Sequence, residues 1–202
     1  HTLNSLLQGL ESRFISGDPD TVIKTVVYDS RQATEGSLFV CIRGFVTDGH
    51  RLIEKVIGLN ASAILIEDGQ DAYPESELAE KAREKGIAVV SVSDTRIALA
   101  HVSAAYFSHP SESLTMVGIT GTKGKTTTTY MIRDIFEKAH KSTGLIGTVS
   151  NVIAGEERKA DRTTPESYKL QEMLGQMAGK GQDSCVMEVS SQGLMLNRVY
   201  GC

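Results

Sequence analysis

Cysteine is scarce and scattered. The three thiols, Cys41, Cys185 and Cys202, are far apart, and no C-x-x-C pair occurs. That excludes a disulfide framework and points to reduced core thiols in a cytoplasmic protein. The five histidines (His1, His50, His101, His109 and His140) show no ligand spacing, so no Cys/His metal site is expected. Long apolar runs are missing: nothing approaches the roughly 20 residues of a membrane span, and no signal-peptide pattern opens the chain. Basic excess is missing too. A formal charge of −4 gives no electrostatic reason to expect a nucleic-acid partner. Neither an N-K-x-D guanine-reading motif nor a D-x-x-G metal motif occurs, which argues against a GTPase.

What is present fits an α/β protein. The 202 residues suffice for one large domain or two small ones, with 40 % hydrophobic and 23 % charged content. Residues 22–27, 37–42, 63–66 and 87–92 are apolar, β-branched runs that predict strands. Between them, residues 51–59 and 76–85 have helical character. Asp94 is a helix N-cap for a segment reaching Phe107. Ser108-His109-Pro110-Ser111 then breaks the pattern and predicts a boundary, giving domains over 1–110 and 111–202. Beyond it, residues 114–119 predict a buried strand and 126–140 a helix with Met131, Ile132, Ile135, Phe136 and Ala139 as its apolar stripe. Strands are expected at 145–146, 149–153 and 185–189, with a helix starting at Pro165.

Between that first strand and helix lies Gly121-Thr122-Lys123-Gly124-Lys125-Thr126-Thr127. A glycine-rich loop at a helix start aims several backbone N–H groups into one small volume, where the helix dipole adds positive charge. Such a loop binds the triphosphate of ATP. Lys125 reaches the β- and γ-phosphates, and the Thr126 hydroxyl completes the shell of a Mg²⁺ ion. The general pattern G-x-x-x-x-G-K-[ST] wants glycine where this chain has Ile119. Glu188, at the end of an apolar strand, is the second candidate metal ligand, since ligands collect at the carboxyl ends of parallel strands.

Thr120 to Thr127 resembles the T-G-T-N-G-K-T-T loop of the Mur ligases, which lacks that first glycine; Lys123 stands where asparagine is usual. Tyr28-Asp29-Ser30-Arg31, Gly36 to Val40 and Asp48-Gly49-His50 look like the UDP-binding domain of the third- and fourth-step enzymes. Thr163-Thr164-Pro165-Glu166 and Met187-Glu188-Val189-Ser190-Ser191-Gln192-Gly193-Leu194 look like the third-step, MurE-type branch. Gln192 replaces a residue that is often histidine there. The resemblance implies a small N-terminal α/β UDP-binding domain followed by the first part of a phosphate-loop, parallel-sheet ATP-binding domain. By the same resemblance, Tyr28, Ser30, Phe45, Val46 and Thr47 contact the uridine part. Thr163, Thr164, Ser190, Ser191 and Arg198 hold the sugar-peptide or its diphosphate, with Arg198 as an anion fork.

The reaction so implied joins a diamino acid, diaminopimelate or lysine, to UDP-MurNAc-L-Ala-D-Glu with ATP and Mg²⁺, through an acyl phosphate. Lys125 is the catalytic candidate, and the implied partners are these small molecules, with the protein acting as a monomer away from membranes. The chain stops soon after the Glu188 strand, so the expectation is a piece of a synthetase that does not ligate by itself. The alternatives are a fourth-step or folylpolyglutamate-type ligase, or a non-catalytic UDP-sugar-binding module.

Overall fold

The computed structural model describes residues 1–44 and 47–202, which form two compact units, His1–Val102 and Ser103–Cys202. Phe45 and Val46, both expected in the uridine site, lie outside the described residues. The division falls within a helix, a few residues before the predicted break at Ser108-His109-Pro110. That break is real as a local event: Ser108 and His109 have φ of 61° and 51°, and a 3-10 turn follows at Pro110–Ser113.

The first unit runs α1 (Leu3–Leu7), β1 (Arg13–Ser16), β2 (Thr25–Val27), β3 (Ser37–Val40), α2 (Ile53–Gly58), β4 (Ala63–Glu67), α3 (Glu75–Lys85), β5 (Ala88–Val92) and α4 (Thr95–Tyr106). Its sheet has the order β1-β5-β4-β3-β2; β2 through β5 pair in parallel, and β1 pairs antiparallel to β5. α1 and β1 are additions to the sequence reading. α1 places Leu3, Leu6 and Leu7 at helical spacing but over only five residues, and β1 is exposed over its first half. The β3 and β4 strands are buried on both faces because helices cover the sheet, which is why they read as unbroken apolar runs. Phe39, Ile64, Ile53, Val56 and Leu78 lie in one core cluster. Asp94 caps α4 as predicted, its Oδ1 accepting from the N–H groups of Arg96 (2.7 Å) and Ile97 (3.1 Å).

The second unit contains β6 (Thr115–Ile119), α5 (Lys125–Lys138), β7 (Thr143–Ile146), β8 (Ser150–Ile153), β9 (Glu156–Lys159), α6 (Ser167–Gly179), β10 (Ser184–Glu188) and α7 (Ser191–Met195). Its sheet is mixed rather than purely parallel. In the order β6-β10-β7-β8-β9, the first three strands run parallel and the last two are added antiparallel. β9 is fully exposed and was not expected, since Glu156-Glu157-Arg158-Lys159 carries no strand period.

Helix α5 corrects the predicted stripe. Met131 and Ile135 are 61 % and 63 % exposed, and Ala139 lies beyond the helix as its C-cap. Thr129 is buried instead, and Tyr130, Ile132 and Phe136 pack on Leu145, Val152 and Val186. Ile132 and Phe136 of the expected stripe thus face the sheet, while the buried face is turned away from Met131 and Ile135 toward Thr129. On the other face of β10, Cys185 and Met187 meet Leu170, Leu174 and Met177 of α6. Burying each such side chain contributes about 1.5–3 kcal/mol. Among the described residues no helix is long and apolar enough to cross a membrane.

Candidate functional site

Three parallel strands, β6, β10 and β7, end side by side. Glu188 pairs with Ile119 and Met187 with Ile146, so the residues that follow each strand converge on one edge. After β6 comes the glycine-rich loop. None of the backbone N–H groups from Gly121 to Thr127 finds an acceptor among the described residues. Water can meet exposed donors of this kind, and a row of them at a helix start suits an anion. Gly124, the N-cap of α5, has φ of 80°, a left-handed conformation that glycine adopts without strain. No acidic residue stands in the first turn to compete for the dipole. The Lys125 ammonium folds back over the loop and donates to the carbonyl of Gly121 at 2.8 Å. Thr122, Lys123 and Thr127 are exposed.

At the end of β10, Glu188 is 1 % exposed. A buried carboxylate must be hydrogen-bonded, and this one is held on both oxygens. Its Oε1 accepts from Thr126 Oγ1 (3.0 Å) and from the N–H of Thr148 (2.9 Å); its Oε2 accepts from Thr148 Oγ1 (3.0 Å). The structure thus brings together the two residues expected to serve a metal ion. The described residues hold no group of three or more His, Cys, Asp or Glu side chains able to cage a metal. One carboxylate and one hydroxyl at a phosphate loop instead fit Mg²⁺, which keeps several waters and takes further oxygens from the phosphates.

Gly147 makes this arrangement possible. A Cβ there would stand 2.6 Å from Glu188 Oε1. Gly147→Ala is therefore expected to push the carboxylate off Thr126 and Thr148 while leaving the backbone in place. Calorimetry should show Mg²⁺–ATP affinity reduced at least tenfold, with circular dichroism unchanged. That factor corresponds to about 1.4 kcal/mol, just below the ~1.5–3 kcal/mol of one lost hydrogen bond to a charged group.

A polar cavity of about 350 Å³ opens beside the carboxylate, lined by Arg162, Thr163, Thr164, Ser190, Gln192 and Arg198. Thr163, Thr164, Ser190 and Arg198 were all expected here, whereas Ser191 is exposed and does not line the cavity. Thr164 Oγ1 donates to the Glu188 carbonyl (3.0 Å) and accepts from the Ser190 N–H (2.9 Å). Ser190 in turn caps α7, its Oγ accepting from the N–H of Gly193 at 3.0 Å. Arg198 is only 6 % exposed. Its Nη1 donates to the Thr164 carbonyl (3.1 Å), and its Nε lies 3.4 Å from Glu166 Oε2, paired in charge but without hydrogen-bond geometry. Arg162 is exposed and has no ion pair among the described residues. Two guanidiniums, three hydroxyls and an amide suit an anionic, oxygen-rich ligand.

The remaining expected residues lie in the first unit. Tyr28 is exposed after β2, and Ser30 is buried with its Oγ accepting from the Lys55 ammonium at 3.3 Å. Between them Asp29 is drawn down to about 2, chiefly by the hydrogen bond from the Arg31 side chain and also by the Arg31 N–H. Thr47 is exposed and its carbonyl accepts from the Gly44 N–H at 2.9 Å.

Sequence reasoning missed four residues. Thr148 follows a short strand with nothing in its neighbours to mark it. Gln192 and Arg162 line the cavity but were given no role. His50 was quoted only as part of Asp48-Gly49-His50. It is fully buried, with Nδ1 2.6 Å from Asp48 Oδ1, while Nε2 accepts from the Glu67 N–H at 3.0 Å. That pattern requires the proton on Nδ1 and ties Asp48 to β4 through the ring.

Known proteins resemble this chain in sequence and in fold. Two family models match, "Mur ligase family, catalytic domain" over residues 22–107 and "Mur ligase middle domain" over residues 119–202. Two curated relatives carry the name UDP-N-acetylmuramoyl-L-alanyl-D-glutamate–2,6-diaminopimelate ligase. The one from Clostridium perfringens is 42 % identical over 199 residues, and that match covers 98 % of this chain and 39 % of the relative. The one from Clostridium botulinum is 43 % identical over 199 residues, with the same coverage of 98 % and 39 %. A solved structure of a protein with that name superposes with a TM-score of 0.74 at 18 % identity, covering 100 % of this chain and 38 % of the other. MurF from Acinetobacter baumannii superposes with a TM-score of 0.60 at 23 % identity, covering 94 % of this chain and 36 % of the other. At those identities the superpositions speak for the fold. The chain spans about 39 % of the length of the curated relatives it matches. Its two matched segments, the relatives' identity along 98 % of its length and the shared fold agree: the chain belongs to the Mur ligase family.

Proposed function

We propose that this chain is the UDP-substrate-binding domain and the first part of the ATP-binding domain of a cytoplasmic amide ligase. The ligase adds diaminopimelate to UDP-MurNAc-L-Ala-D-Glu at the expense of ATP. The observation that carries the reading is the alignment of free loop N–H groups, Lys125, Thr126 and Glu188 along one strand edge. The diamino acid is taken from the names of the relatives, which are diaminopimelate ligases. Residues 1–110 serve the uridine part through Tyr28, Ser30 and Thr47, and residues 111–202 serve ATP and the sugar-peptide.

The chemical problem is the meeting of two anions, a carboxylate and a triphosphate. The loop N–H groups hold the β- and γ-phosphates in line, and Lys125 leaves the Gly121 carbonyl to neutralise charge building on the γ-phosphoryl oxygens. Thr126 and Glu188 hold Mg²⁺, which supplies the remaining positive charge at the phosphates. Thr163, Thr164, Ser190 and Arg198 fix the anionic sugar-peptide, so that its free carboxylate meets the γ-phosphorus. An acyl phosphate forms, and the incoming amine displaces phosphate from it.

Calorimetry on the chain tests this. Saturable binding of both Mg²⁺–ATP and UDP-MurNAc-L-Ala-D-Glu is expected. Binding of the UDP ligand with no nucleotide binding would leave a non-catalytic module as the better reading.

A further inference from the structure

Thr148 lies between the two halves of the site and touches both. Its Oγ1 is 3.0 Å from Glu188 Oε2 on the nucleotide side and 3.0 Å from Thr163 Oγ1 on the cavity side. The residue is exposed and contributes nothing to the hydrophobic core. A threonine hydroxyl has one proton to give. Facing an accepting carboxylate, Thr148 gives that proton to Glu188, so the contact with Thr163 must run the other way, with Thr163 donating to Thr148. In this state the Thr163 proton is committed inward, and only lone pairs face the cavity. An anionic ligand oxygen there meets an acceptor.

Cation binding reverses the chain. When a cation draws charge from the Glu188 carboxylate, Oε2 becomes a weaker acceptor and the Thr148 proton rotates toward Thr163 Oγ1. The Thr163 proton then rotates outward and donates to the ligand oxygen. No proton changes owner; two hydroxyls turn. Thr126 takes no part in this half of the chain, because its contact is with Oε1. We infer that Thr148 is a positioning residue that makes cation-nucleotide binding at Glu188 and anion binding at Thr163 strengthen one another. The inference rests on the phosphate-loop reading given above.

Because coupling between sites is reciprocal, a binding cycle measures it. The probes are a non-hydrolysable ATP analogue with Mg²⁺ and UDP-MurNAc-L-Ala-D-Glu, each run by calorimetry on the 202-residue chain with and without the other. In the unmodified chain each ligand is expected to tighten the other by about fivefold or more, the lower end of usual allosteric couplings. Thr148→Val removes only the hydroxyl; the backbone N–H that holds Oε1 stays. It should bind both ligands with the coupling factor reduced to one, and Thr148→Ser should keep the coupling.

Retained coupling in Thr148→Val overturns the inference. So does an affinity loss that is equal with and without the second ligand, since that marks a residue that merely holds Glu188. Independent binding of both ligands to the unmodified chain overturns the inference and leaves the proposed function standing. Failure of the unmodified chain to bind nucleotide overturns both.

Discussion

Lys125→Ala in the intact ligase is expected to lower the ligation rate by about 10²–10³-fold while leaving affinity for the UDP-sugar dipeptide within about twofold of normal. The magnitude is that of removing one preorganised charge-stabilising donor, ~3–4 kcal/mol of barrier. The side chain carries no part of the core: it is partly exposed, and its one polar contact among the described residues is the Gly121 carbonyl. Losing it should change stability by no more than about 0.5 kcal/mol, the usual span for surface positions. Lys125→Arg should not rescue the rate, because a planar fork on a longer stem cannot stand where a compact ammonium meets two phosphates. A near-normal rate in Lys125→Ala, measured as phosphate release, would sink the loop assignment.

The second large effect is expected from Glu188→Gln. The substitution keeps the volume of a fully enclosed side chain but removes its charge and one acceptor. Three donors converge on the carboxylate, two from Thr148 and one from Thr126. An amide accepts on its oxygen only; with its nitrogen on the Oε2 side, the Thr148 hydroxyl turns toward Thr163 and accepts from the NH₂ group, so charge-assisted bonds become neutral ones. We expect ligation to fall by about 10²-fold or more, the scale of lost electrostatic stabilisation at a phosphoryl-transfer site. Nucleotide affinity should become insensitive to Mg²⁺ between 0 and saturating concentration. Replacing charge-assisted bonds by neutral ones costs about 1 kcal/mol, which for a chain of this length lowers Tm by a few degrees. Persisting Mg²⁺ dependence in the variant would locate the cation elsewhere.

The two predictions differ in how readable their residues were. Lys125 is marked locally: a buried strand, two glycines, a lysine and a run of threonines within about a dozen residues. Glu188 is marked only by its place after an apolar strand, and its meaning depends on β10 lying between β6 and β7. Thr148 is not marked at all. Its partners are 40 residues on in Glu188 and 15 residues on in Thr163, and neither separation leaves a period in the chain. Arg198 reads in isolation as a solvated side chain, yet it is nearly buried against Thr164 and Glu166.

Local sequence determined the α/β class, most element positions, the cap at Asp94, the break before Pro110 and the glycine-rich loop at the start of α5. Each rests on backbone geometry or on a spacing shorter than one element, so a window of residues contains its cause. Tertiary structure decided the rest. The rotation of α5, which turned Met131 and Ile135 outward, follows from the left-handed Gly124 before it and the sheet beneath it. The antiparallel pair β8 and β9 on the far side of the sheet follows from strand pairing, which sequence pattern scarcely records. The hydrogen-bonded chain from Thr126 through Glu188 and Thr148 to Thr163 exists because three strand ends meet at one edge. Hydrogen bonds between side chains have no preferred sequence separation, and only the packed sheet brings these four residues within 3 Å of their partners.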